Sequence, residues 1–106
     1  MSQSTPEDLD RCRILIDELD LQLLHLLNQR TAIVENIGRI KQDLALNIYE
    51  PKREEKVFAN VLQHNAGPLP HEAVKRIFER IIDEMRTVQK LNMQAQKDAP
   101  VEKESC

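Results

Sequence analysis

The stretch Leu9–Leu44, LDRCRILIDELDLQLLHLLNQRTAIVENIGRIKQDL, decides the fold. Stepping along it by alternating threes and fours lands on Leu9, Cys12, Ile16, Leu19, Leu23, Leu26, Arg30, Ile33, Ile37, Ile40 and Leu44. Every stop but Arg30 is apolar, the pattern of a long helix with a continuous seam for burial against other helices. A guanidinium keeps its proton, and burying one unpaired costs several kcal/mol. An anion is therefore expected at Arg30, either a carboxylate of the protein or a ligand.

The rest of the chain supplies too little to cover that seam. A helix ending at Asp43 or Leu46 spans roughly 50 Å at about 1.5 Å per residue. A compact domain of this length has a radius of gyration near ~13 Å. Later helices plus a second copy of the chain are needed, which predicts an obligate homodimer. Two glycines, 3% aromatics and abundant Leu, Ile, Glu, Lys, Arg and Gln fit an all-α protein. At 106 residues it reads as one domain.

Thr5, Pro6 and Asp8 mark the start of the first helix as N-cap, first helical residue and capping-box acid. Gly38 within that helix predicts close approach by a neighbouring helix. Asn47–Glu50 is a connector, because Pro51 excludes Glu50 from the helical region and suits a helix start. A second helix is expected from Pro51 to His64, with Val57, Phe58 and Val61 inward, and Asn65–Pro68 as the stop. A third runs from Pro70 to Gln94, with Val74, Ile77, Phe78, Ile81, Ile82, Met85 and Val88 on its inner face. Residues 1–7 read as an N-terminal leader, 8–94 as the domain, and 95–106 as a polar, disordered tail.

A formal net charge of −3 gives no electrostatic case for nucleic-acid binding, although a local basic cluster can still hold a small anion. Neither a signal-like start nor a membrane-length apolar run is present, so a cytoplasmic protein with no membrane partner is expected. Cys12 and Cys106 suggest no disulfide framework, and with His25, His64 and His71 they form no metal-ligand spacing. No cofactor motif appears.

Three further polar residues fall on apolar faces. Lys41 lies eleven residues after Arg30, three turns plus about 20°, so the two point nearly the same way. Glu54 precedes Val57, Phe58 and Val61 by three, four and seven. Gln89 continues the rhythm of Phe78, Ile82 and Met85. The four residues together suggest the lining of one pocket for a small dianion. Simpler readings stay open: an Arg30–Glu54 ion pair, a snorkelling Lys41 at a helix C-terminus, and solvated Glu54 and Gln89. Arg13 stands seventeen residues before Arg30, roughly 25 Å along the same rod. It can serve that pocket only from the partner subunit.

Arg13, Ile16–Asp20, Leu27–Arg30, Ile37–Lys41 and Ile48–Glu54 together resemble the all-helical chorismate mutases. The resemblance covers residues 8 to 92 and implies an intertwined homodimer of three-helix chains with shared active sites. It implies that Arg13 of one chain and Arg30 of the other bind the two carboxylates of chorismate. Lys41 and Gln89 then donate to the enolpyruvyl ether oxygen, and Glu54 accepts from the ring hydroxyl, with Glu50 and Arg53 beside it. Glu50 stands where Asp is common, and Met85 where a small polar residue is common. The implied reaction is the Claisen rearrangement of chorismate to prephenate, on the branch of the shikimate pathway towards aromatic amino acids, with no metal or cofactor. Two alternatives remain: an isochorismate-pyruvate lyase of the same fold, disfavoured by Glu54 directly after Arg53, and a non-catalytic helical dimerisation or regulatory module. Docking to a regulatory enzyme of the same pathway is left open.

Overall fold

A computed structural model describes residues 3–97, with side chains described to residue 95. Its helices are α1 (Pro6–Asp43), α2 (Pro51–His64) and α3 (His71–Lys97), and no strand occurs among the described residues. The fold is all-α, as the periodicity predicts. Most of the expected tail, residues 98–106, lies outside the described residues. α3 itself continues three residues beyond Gln94. No helix among the described residues is long and apolar enough to cross a membrane.

The start of α1 is a reciprocal capping box. The Thr5 hydroxyl accepts from the Asp8 N–H at 3.2 Å, and the Thr5 N–H donates to Asp8 Oδ2 at 2.9 Å. Those bonds, with Arg11 at 2.7 Å, hold the Asp8 carboxyl below its ordinary range. At 38 residues α1 is far longer than an ordinary globular helix.

The chain divides into two compact units, up to Ile33 and from Val34 onward. In the first, none of the described residues is buried. Leu9, Ile14, Ile16, Leu19, Leu23, Leu26 and Ile33 are each more than half exposed. The second unit holds the core. There α2 and α3 pack on each other through a short connection, so that Glu54 near the start of α2 meets Arg86 late in α3. Val74, Ile82 and Met85 are the buried apolar side chains, and Gln89 extends their stripe at 8% exposure. Val57, Phe58 and Val61 of α2 are half-buried against this unit. Ile77, expected inside, is 46% exposed. It sits on the edge of the α3 stripe, well off the line through Val74, Ile82 and Met85.

Gly38 is buried where the Gln89 side chain of α3 crosses α1. A Cβ built there would lie 3.5 Å from Gln89 Cγ, an ordinary van der Waals contact, so the predicted close approach exists but leaves room for a methyl group.

The turn after α1 was not apparent from sequence. Leu46 N–H donates to Lys41 O at 2.7 Å and Ala45 N–H to Gln42 O at 3.1 Å, the two bonds of a Schellman cap. Ala45 takes the left-handed position, with φ of 56°. Glycine is the usual occupant, because a Cβ costs roughly 1–2 kcal/mol there. Glycine also loses more backbone freedom on folding, about 0.5–1 kcal/mol. Ala45→Gly is therefore expected to stabilise the fold by about 0.5–1 kcal/mol, read as a higher urea midpoint. A lower midpoint would show that the cap tolerates Ala45 without strain.

Candidate active site

The Schellman turn reverses the chain so that residues 48–50 come back over the last turn of α1. Lys41 Nζ donates to Ile48 O at 3.0 Å and pairs with Glu50 at 2.6 Å. The lysine side chain is only 12% exposed, whereas that of Glu50 is 51% exposed. The hydrogen bond from Lys41, then its charge, holds the Glu50 carboxyl below its ordinary value; Arg53 adds a smaller Coulombic pull and desolvation opposes. The folded state thus favours ionised Glu50. That contribution is present above the ordinary carboxylate pKa and is lost as pH falls through the lowered one.

Gln89 reaches α1 one turn earlier. Its Nε2 donates to Val34 O at 3.1 Å while its stem lies over Gly38. Gly38 precedes Lys41 by three, so the backbone position that Gln89 crosses lies about 4.5 Å along the axis from that of Lys41. Asn92 adds a parallel contact, donating to Glu35 Oε2 at 2.9 Å. A cavity of ≈ 280 Å³ opens beside Gln89 between Glu35, Gly38, Arg39, Gln42 and Asn92. Lys41 and Glu54 are not among its walls.

Glu54 is half-buried at the start of α2, and its partner is Arg86 of α3 at 2.5 Å. The Arg86 guanidinium also lies 5.0 Å from the centroid of the Tyr49 ring and 3.5 Å from Asp83. The bond to Glu54 holds it more firmly protonated, against the opposing cost of burial. Arg86 is the residue that reading the sequence missed. Its one signal was its place four residues after Ile82, on the border of the inner stripe.

Of the remaining candidates, Arg53 is exposed beside this pair, and Met85, at 8% exposure, belongs to the apolar core. A thioether there can pack or weakly accept, but it cannot donate a hydrogen bond. Arg13 and Arg30 belong to the first unit, Arg13 exposed and Arg30 half-buried.

The second unit thus brings together an ammonium from α1, a carboxylate from α2, and an amide and a guanidinium from α3, each held by contacts within the protein, in an all-α class of three-helix chains. Within that class the chain belongs to the chorismate mutase type II family, whose sequence profile matches residues 12–90.

Among relatives, the bifunctional chorismate mutase/prephenate dehydratase of Neisseria gonorrhoeae is 38% identical over 90 residues. That match takes in 85% of this chain and 24% of the relative. The chain thus spans about a quarter of the length of such bifunctional relatives. The form II chorismate mutase structure from Thermus thermophilus is 32% identical with a TM-score of 0.76, covering 77% of this chain and 93% of that one. The Helicobacter pylori chorismate mutase in complex with prephenate is 30% identical with a TM-score of 0.75, covering 87% and 97%.

Proposed function

We propose that this protein converts chorismate to prephenate in a homodimer whose two active sites each draw on both subunits. The observation that supports the reading is that Lys41 of α1 and Gln89 of α3 are both largely buried although both carry N–H donors. In the Claisen rearrangement the ether C–O bond breaks ahead of C–C bond formation, so negative charge grows on the ether oxygen. Donors already held in place stabilise that charge more than they stabilise the ground state. Lys41 and Gln89 are assigned that task. Arg30, with Arg13 from the partner subunit, binds the substrate carboxylates and holds the folded, reactive conformer. Glu54 accepts from the ring hydroxyl, Glu50 and Arg53 shape the adjoining wall, and Met85 offers apolar contact.

The dimer follows from α1. Its first unit leaves Leu and Ile side chains more than half exposed along its length, and each such residue gains about 1.5–3 kcal/mol on full burial. A second copy, running its own α1 alongside, covers that surface and delivers its Arg13.

A direct assay of chorismate loss on purified protein tests the activity, with isochorismate as the comparison substrate for the lyase alternative. Turnover of chorismate to prephenate is expected, flat from pH 6 to pH 8. The Gln89 amide donates without titrating, and Glu50, held low by Lys41, stays ionised throughout that window. A steep loss across it would place a titrating group at the ether oxygen and remove Gln89 from the role.

A further inference from the structure

The second unit contains a salt bridge that the proposed chemistry does not yet use. Glu54 receives all its described side-chain hydrogen bonds from one residue, Arg86. The two side chains are each 24% exposed, so the pair is shielded from bulk water on most sides. Arg86 is itself seated three ways: one guanidinium nitrogen on Glu54, another towards Asp83, and the planar face above Tyr49. Its Nε is sealed from solvent without a partner among the described residues. Such seating costs rotamer freedom and leaves one donor unused. It also fixes the plane from which Arg86 meets the carboxylate.

We propose that Arg86 is a positioning residue, which anchors one carboxylate oxygen of Glu54 so that the other faces the substrate's ring hydroxyl. This rests on the chorismate mutase reading given above. Without Arg86 the glutamate side chain is free to turn among its rotamers, and an acceptor that wanders binds a hydroxyl poorly. Lysine in its place keeps the charge but neither the planar stack on Tyr49 nor the fork between Glu54 and Asp83. The ring hydroxyl is present in substrate and transition state alike, so a misplaced acceptor weakens both equally. Such a loss appears in KM rather than in kcat.

The test is a double-mutant cycle of Arg86→Met and Glu54→Ala, with Arg86→Lys alongside, each checked for helicity and dimer elution. Arg86→Met is expected to raise KM for chorismate by about tenfold or more while kcat falls less than roughly threefold, in keeping with the loss of a charge-assisted hydrogen bond. Arg86→Lys should fall between the methionine variant and the parent. In the Glu54→Ala background the same methionine should change KM by less than about twofold, since the acceptor it positions is already gone.

An unchanged KM in Arg86→Met, or an equal loss in both backgrounds, would overturn the proposal while leaving the mutase activity standing. So would a fall in kcat at constant KM, the mark of a smaller folded fraction. Absence of turnover in the unsubstituted protein would instead overturn the function, and this inference with it.

Discussion

Lys41→Ala is expected to reduce kcat by about 10²–10³-fold while leaving the melting temperature within a few degrees of the parent. The two halves of that result have different causes. A donor aimed at charge that appears only in the transition state is worth roughly 3–4 kcal/mol when deleted from a comparable site. The resting contacts of Lys41 are worth far less. Its carboxylate partner, Glu50, is half exposed, and ion pairs open to solvent contribute at most about 1 kcal/mol. Water can take the place of the ammonium at Glu50. Activity and stability should therefore separate cleanly, and steady-state kinetics beside a thermal melt reads both. A loss below tenfold would mean that Lys41 serves the helix end and not the reaction. Lys41→Arg is not a conservative replacement, because the planar fork does not present its hydrogens as a compact ammonium does.

The second large effect concerns the arginines of α1. Arg13→Ala and Arg30→Ala are each expected to be nearly inactive, since each strips one substrate carboxylate of its cation. Mixed in equal amounts, unfolded and reassembled, they should recover about a quarter of the parent activity, as two-fold symmetry requires. Random pairing makes half the dimers mixed. Each mixed dimer carries one site with both arginines and one with neither. Recovery near that level identifies the partner subunit as the source of Arg13. No recovery, with subunit exchange proven by a tagged chain, would confine each site to one protomer.

Much of the fold could be read from the order of residues because local chemistry set it. Thr5 with Asp8, and Pro51, fixed where helices begin, and the three–four rhythm marked the inner faces of α2 and α3, Ile77 excepted. Gly38 announced a crossing, and Gln89 is what crosses there. What stayed hidden depends on contacts between distant segments or on a backbone angle that the residue does not advertise. Ala45 adopts a conformation usually left to glycine, so nothing in its identity marked the cap that folds Ile48 and Glu50 back onto Lys41. Arg86 lies where the polar and apolar faces of α3 meet, and its partners Tyr49 and Glu54 come from the connector and from α2. Reading along the chain left an Arg30–Glu54 ion pair open as one alternative. Folding α3 back on α2 gives Glu54 a partner in Arg86.

The bare leucines and isoleucines in the first part of α1 carry a consequence for the protein's life in solution. Under the proposed pairing, one encounter hides the sticky surface and assembles the catalytic apparatus at the same moment. A newly made chain that has not met its twin is idle and, for the same reason, prone to clump. Scarcity of subunits would then penalise such a protein twice, in lost chemistry and in lost solubility.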